Sequence, residues 1–257
     1  MPAGETPSVR RRILISGASS GLGAGMARLF AAQGRDLALT ARRTDRLVAL
    51  RDELRSAFPG IRVATRSLDV NDHDAVLRVF AECGDELGGL DRVVVNAGIG
   101  KGARIGTGRL DANVETASTN FVGALAQCEA AMQAFYAAGQ GHLVVISSVA
   151  ASRGMPSAMT TYGATKAGVA ALAEGIRSDV LRSPITVTTL LPGYIRTEMN
   201  ERVAHKVKHM VDLDTGCRAI VDAIEREVDT AYVPRWPWAL SARVMRYAPL
   251  GLVRNLM

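Results

Sequence analysis

The segment YGATK, residues 162–166, sets a tyrosine and a lysine four positions apart at the start of a helix-patterned stretch that continues AGVAALAEGIRSDVLR. Side chains at that spacing share a helix face, so Tyr162 and Lys166 project together. A free phenol titrates near pH 10 and is a poor acid–base catalyst at neutral pH. A neighbouring ammonium favours the phenolate and brings that value down. The pair therefore has the makings of a tuned proton donor or acceptor. On spacing alone a second reading stays open, a core-edge tyrosine beside a solvated lysine.

A second group of residues suits an anion. SGASSGLG (16–23) stands between a short aliphatic run and a helical pattern. Gly17, Gly21 and Gly23 let the backbone turn sharply and approach a ligand closely. Ser19, Ser20 and Leu22 complete the turn. The helix N-terminus that follows suits a pyrophosphate, and Gly25 is available for close packing of that helix on a sheet. A glycine turn between strand and helix is the context a dinucleotide site requires, with a purely structural turn as the alternative. LTARRTDR (39–46) then places Arg42 and Arg43 before Thr44 and Asp45, good N-cap and first-turn residues. Cations are unfavourable at a helix N-terminus unless they wait for an anion. Sites that choose NAD carry an acid after the second strand, for the ribose 2′-hydroxyl. Here DLALT (36–40) is followed by Ala41 and the two arginines, and Asp36 stands at the wrong end. Arginine suits phosphate through its planar fork of donors. The cofactor read from these residues is NADP(H), with Arg42 on the 2′-phosphate and Arg43 beside the adenine or in solvent.

These residues need a scaffold to bring them together. Short aliphatic runs alternate with helical stretches: RILIS (12–16), DLALT (36–40), RVATR (62–66), DRVVVN (91–96), HLVVIS (142–147), ITVTTL (185–190) and AYVP (231–234). Runs apolar throughout are strands covered on both faces. The alternation predicts a single α/β domain, a Rossmann-type doubly wound parallel sheet of about seven strands with helices on both faces. Ligands bind such sheets beyond the carboxyl ends of the strands. Helices are expected over 22–33, closed by Gly34, over 112–138 and over 162–182. Residues 1–10 read as a disordered tail, 11–233 as the domain with a substrate lid near 198–215, and 234–257 as a basic amphipathic extension.

Composition narrows the class further. The chain has 257 residues, 48% hydrophobic and 22% charged, the profile of an ordinary globular protein. No apolar run reaches about 18 residues, so no spanning helix is expected. The order of MPAGETPSVRRR, polar first and arginines last, does not suit a signal peptide. Cys83, Cys128 and Cys217 lie far apart, which points to reduced thiols and a cytoplasmic protein. The net charge of +6 is dispersed without an aromatic platform, so nucleic acid is not an expected partner. The exception is Pro234 to Met257, with four arginines, both tryptophans and no acid. That segment suits an anionic membrane surface, another subunit, or a tail closing an apolar active site.

The spacing of Gly17, Gly21 and Gly23 resembles the short-chain dehydrogenase/reductase family. LDV (68–70), VNAG (95–98), Asn120, ISS (146–148), YGATK (162–166) and PGYIRT (192–197) resemble the same family in the same order. The resemblance covers about residues 12–198 and implies a carbonyl–alcohol oxidoreductase. It implies that Tyr162 exchanges a proton with the substrate oxygen and that Ser148 hydrogen-bonds that oxygen. Lys166 would hold the nicotinamide ribose and tune Tyr162, and Asn120 would hold a water linking Lys166 to solvent. Asp69 and Val70 would contact the adenine, and Asn96, Ala97 and Gly98 would lie against the cofactor. Pro192, Gly193 and Ile195 would cover the nicotinamide, with Thr197 reaching its carboxamide. Asp69 can also be read as a helix cap. One spacing departs from the family: Ser148 and Tyr162 are one position further apart than is common, and MPSAMTT (155–161) is the expected place for the extra residue. Ser147 is the alternative serine, expected to point to the opposite face because strand residues alternate.

Beyond Thr197 the motifs stop. Met199, Val203, Val207 and Met210 have helical spacing, which suits either a lid over an apolar or lipid-like substrate or an ordinary amphipathic helix. His205 and His209 form a possible metal pair without a third ligand, so no metal is expected. The small residues of the two long helices suit a homodimer or homotetramer, or packing within one chain. A non-enzymatic dinucleotide sensor or a membrane-peripheral scaffold is the alternative function.

Overall fold

The computed structural model describes residues 9–201 and 209–252. Seven strands form one parallel sheet: β1 (Arg12–Ser16), β2 (Asp36–Ala41), β3 (Val63–Ser67), β4 (Arg92–Val95), β5 (Gly141–Ile146), β6 (Ile185–Pro192) and β7 (Thr230–Val233). Their order is β3-β2-β1-β4-β5-β6-β7, so the chain reverses its winding between β1 and β4. The strands are where the aliphatic runs placed them. Alternation sorts their side chains onto two cores. Leu14, Val93, Val95, Leu143 and Val145 face one side, and Ile13, Ile15, Val94, Val144 and Ile146 face the other. The helices are α1 (Gly21–Ala32), α2 (Thr44–Ala57), α3 (His73–Leu87), α4 (Leu110–Ala117), α5 (Gly123–Ala138), α6 (Met159–Asp179), α7 (Leu213–Glu225) and α8 (Arg235–Tyr247).

Several local expectations are corrected. The helix expected over 112–138 is broken by a π-helical turn, Ser118–Val122, a form that tends to mark functional positions. Helix α6 opens at Met159, three residues before Tyr162, and ends at Asp179 rather than at 182. Thr44 is the first residue of α2 and not its cap, which is Arg43 without a side-chain bond. Gly25 does not serve helix-on-sheet packing. A Cβ there would lie 2.4 Å from Cys217 Sγ, so it lets α1 and α7 touch. Arg10, assigned to the tail, is buried and donates to Glu227 at 2.9 Å. Within the range expected for a lid, Leu213 already opens α7 under an Asp212 cap. Val203, His205 and Val207 lie outside the described residues, and the His205–His209 pair with them.

Candidate active site

The carboxyl ends of β1, β2, β4, β5 and β6 converge on a cleft of about 600 Å³. At its floor β1 turns into α1 through Gly17 and Gly21, with φ of 64° and 52°. Those are left-handed values that favour glycine. The turn also has no room for side chains. A Cβ on Gly17 would lie 2.9 Å from Ala97 Cα, and one on Gly23 2.4 Å from the Gly17 carbonyl. Gly23 thus sits beneath the turn, while Ser19, Ser20, Gly21 and Leu22 line the cleft. Helix α1 begins with no side-chain cap and no acid in its first turn. Its free amide ends and partial positive charge are left for an anion.

β1 and β4 are tied at the point where the winding reverses. Asn96 Nδ2 donates to the Ser16 carbonyl at 2.9 Å, and Ser16 Oγ accepts from the Asn96 and Ala97 amides, each at 3.0 Å. Ala97 and Gly98 then run along the cleft wall with Asp69 and Val70 opposite. Asp69 accepts from the backbone and side chain of Asn71 in a local turn. It is not the cap of α3, which is Asp72, accepting from Ala75.

Of the four polar residues singled out for chemistry, Ser148, Tyr162 and Lys166 line the cleft, and Asn120 is buried behind Gly98. Asn120, on the π turn, is 1% exposed. Its amide clamps Ile99 from both sides, accepting from the amide at 2.8 Å and donating to the carbonyl at 2.9 Å. A Cβ on Gly98 would lie 3.2 Å from Asn120 Oδ1 and 3.6 Å from Lys166 Nζ, so Asn120 and Lys166 share one small neighbourhood. Lys166 is buried and donates to the Ile146 carbonyl at 2.8 Å. Burial pushes its ammonium down to about 8. Ser148 lines the cleft and accepts from the Ala150 amide. Ser147 donates instead to the Lys166 carbonyl at 2.8 Å and is buried, which leaves Ser148 as the serine facing Tyr162. Between Ser148 and Tyr162 the chain forms a short 3₁₀ turn, Val149–Ser152, and then the first turn of α6.

Tyr162 is half-buried in the cleft wall. Burial raises its phenol above the ordinary range and a hydrogen bond with Ser148 pulls the other way. The net shift is upward, opposite to the lowering expected from Lys166. The reason is distance and competition: Lys166 Nζ is 6.0 Å from the ring centroid and is engaged by Ile146.

The two arginines separate. Both line the cleft. Arg43 donates to Ser19, Ser20 and Glu198, at 3.2, 2.5 and 3.2 Å. It does not simply face solvent. Arg42 has no side-chain hydrogen bond or ion pair among the described residues, whereas its neighbour has three. Glu198 also pairs with Arg46 at 2.6 Å.

At the open end, Pro192, Gly193, Ile195 and Thr197 line the cleft. Three residues there were missed by sequence reasoning. Asn200 accepts from the Thr197 amide and donates to the Ile195 carbonyl, fixing that strap. Glu198 fastens it to the arginines. Tyr194 lies 5.5 Å from the Trp238 ring. Trp238 covers Gly193, where a Cβ would meet the indole at 2.2 Å. So α8 packs against the cleft's substrate side. No spacing rule signals such contacts, because their partners are remote in sequence.

Comparison with known proteins agrees with this geometry. An uncharacterized oxidoreductase of Mycobacterium tuberculosis is 56% identical over 97% of this chain and 98% of its own. A short-chain dehydrogenase from Sphingobium yanoikuyae, solved in complex with NADPH, superposes with a TM-score of 0.81 at 28% identity, covering 95% of this chain and 96% of that one. An alcohol dehydrogenase from the archaeon Thermococcus sibiricus, solved with 5-hydroxy-NADP, gives 0.77 at 26% identity over 86% and 94%. The sequence model described as short chain dehydrogenase matches residues 11–208. The glycine turn, the Asn96 tie and the meeting of Ser148, Tyr162 and Lys166 in one cleft, with Asn120 buried behind it, thus belong to an oxidoreductase of the short-chain dehydrogenase family.

Proposed function

We propose that this protein is an NADPH-dependent carbonyl reductase, running in reverse as an alcohol dehydrogenase, with Tyr162 as general acid/base and an apolar or lipid-like substrate. The observation that carries the reading is that Ser148, Tyr162 and Lys166, with Asn120 behind Gly98, share one cleft with the start of α1 and Arg42. The residues fit a dinucleotide. The uncapped α1 amides and the close-packed Gly17 and Gly23 suit its diphosphate, Asp69 and Val70 its adenine, and Gly98, Thr197 and Lys166 its nicotinamide half. Bound there, the nicotinamide supplies or accepts a hydride. The protein's own groups handle the proton. Ser148 holds the substrate oxygen and Tyr162 delivers a proton to it, which the raised phenol still carries at neutral pH. Lys166, charged below about pH 8, holds the ribose. Asn120 holds a water through which that proton is replaced.

The preference for NADPH is supported by Arg42, whose guanidinium has no side-chain partner among the described residues. Arg43 is held by Ser19, Ser20 and Glu198 and therefore borders the site. Charge-assisted bonds to phosphate are worth about 1.5–3 kcal/mol. Arg42→Ala is accordingly expected to raise KM for NADPH about 10- to 100-fold while leaving KM for NADH within about twofold. Steady-state kinetics with both cofactors checks this. An equal effect on both, or a wild-type KM for NADH at or below that for NADPH, would sink the assignment.

The apolar substrate is supported by Met199, which lines the cleft over Gly100, and by Tyr194 and Trp238 packed behind the cleft residue Gly193. The test is NADPH oxidation with ketones and aldehydes graded from short and polar to long-chain and steroid-like. A homodimer or homotetramer is supported by Val114, Phe121, Val122 and Leu125, exposed on α4, the π turn and α5. A cytoplasmic location is supported by three unpaired, buried cysteines.

A further inference from the structure

The C-terminal helix presents two faces. Trp238 and Ala242, four residues apart, turn inward and are 8% and 1% exposed. Arg153 fastens the helix end by donating to the Met245 and Arg246 carbonyls. The opposite side carries Leu240, Val244 and Tyr247, at 53%, 51% and 81% exposure. Trp236 leads into it, 73% exposed, and Leu250 and Leu252 extend it, both more than half exposed. Exposed apolar side chains of this size, gathered on one side of a single helix and its continuation, mark an interaction surface rather than an ordinary scatter. Arg235, Arg243 and Arg246 flank or interrupt the stripe. None of them joins an ion pair among the described residues, and no acid occurs from Pro234 to Met257.

We propose that this face docks peripherally on a bilayer surface containing anionic lipid. The pattern matches what such a surface requires. Apolar side chains enter the acyl boundary while arginines snorkel to the lipid phosphates. A second copy of this chain fits the face less well. A two-fold contact sets the same patch against itself and would bring the arginines together with no acid between them. No helix among the described residues is long and apolar enough to cross a membrane, so the contact is one of surface attachment. Because Trp238, on the inner side of the same helix, covers Gly193 at the cleft wall, attachment sets the substrate end of the cleft beside the bilayer. The docking does not depend on the proposed reaction and is measured without it.

The test is sedimentation of the full-length protein with vesicles of phosphatidylcholine alone or mixed with phosphatidylserine. Partitioning onto the mixed vesicles should be at least about tenfold stronger and should fall on adding salt, since each basic residue near an anionic surface contributes about that order of attraction. Tryptophan emission should shift to the blue on binding as Trp236 leaves water. Leu240→Ser with Val244→Ser should cut the partitioning about tenfold, at an unchanged melting temperature. Arg243→Glu with Arg246→Glu, on exposed positions that leave the packed face alone, should remove the preference for the anionic vesicles. Equal sedimentation with both vesicle types, or none with either, overturns the proposal. So does a dimer of the wild type that either double variant dissociates in the absence of lipid binding, which would assign the face to a second copy.

Discussion

Tyr162→Phe is expected to lower kcat for carbonyl reduction about a thousandfold, within the range a positioned proton donor contributes, and to leave the Kd for NADPH within about twofold. Phenylalanine keeps the ring in the cleft wall and removes only the hydroxyl, which Ser148 influences. Substrate can still enter, but nothing delivers a proton to its oxygen as charge builds there. The pH profile should carry the same signature. The raised phenol stays protonated through neutral pH, so the donor is present for reduction over that whole range. Lys166 loses its charge as pH rises through about 8, and with it the ammonium that holds the nicotinamide ribose. Reduction by the wild type should therefore be flat from about pH 6 and decline above about 8, whereas oxidation of the alcohol, which needs the phenolate, should gain as pH rises toward that value. Steady-state rates in both directions and fluorescence titration of NADPH measure all of this. A Tyr162→Phe enzyme with wild-type-like turnover would remove Tyr162 from the mechanism.

The largest expected effect on stability lies at the other end of the strands. Arg92, first residue of β4, is 1% exposed. It donates Nε to His142 Nδ1 at 2.9 Å and Nη1 to Glu225 at 2.7 Å, and its guanidinium stacks on Phe30 at 5.7 Å. His142, wholly buried on β5, contacts Thr188 Oγ1 through Nε2 at 2.9 Å. With Nδ1 accepting from Arg92, this nitrogen is the donor. Removing one partner of a buried charged network leaves the others uncompensated, at about 3–5 kcal/mol. Arg92→Leu should thus lower Tm by roughly 10 °C in a chain of this size, without changing the KM for cofactor, because the network is a full strand length from the cleft.

The same network sets acid stability. Burial, reinforced by Arg92, pushes His142 down to about 3, against about 6.5 in an unfolded chain. Between those values the unfolded state holds a proton that the folded state does not, so stability rises with pH there. It is fully present above about 6.5 and drains as pH falls toward 3, by at most about 1.4 kcal/mol per unit. Burial works to raise Glu227, but the hydrogen bonds from Arg10 and Thr186 and the positive charge beside it together outweigh that and hold it at about 2. Its contribution is present above about 4.5 and is lost as pH falls toward 2. Urea unfolding at pH 7 and pH 5 should show a loss for the wild type that His142→Gln largely abolishes. An equal loss in both proteins would mean that His142 is charged in the folded state.

What sequence spacing determined is local or repetitive. The seven strands follow from apolar runs, because a strand covered on both faces must be apolar at successive positions. The glycine turn is legible because φ near +60° and contact with a neighbouring backbone exclude a Cβ at Gly17. Tyr162 and Lys166 are legible because helical period alone sets them side by side. Other features depend on which distant surfaces meet. The π turn at Asn120 replaces a helix that periodicity draws as continuous, since local propensity does not register the clamp on Ile99. The arginines are adjacent in sequence with the same charge. They divide only because Glu198, 155 residues from Arg43, lands on one of them. Gly25 serves Cys217 on α7 rather than the sheet, and Arg92 finds His142 and Glu225 only once β4, β5 and α7 are packed. Nor does composition distinguish the inward Trp238 from the outward Trp236, two positions apart in a segment of uniform character. Period determines which face a residue shares with its neighbours. Only packing, which brings together groups separated by long stretches of chain, decides what that face meets.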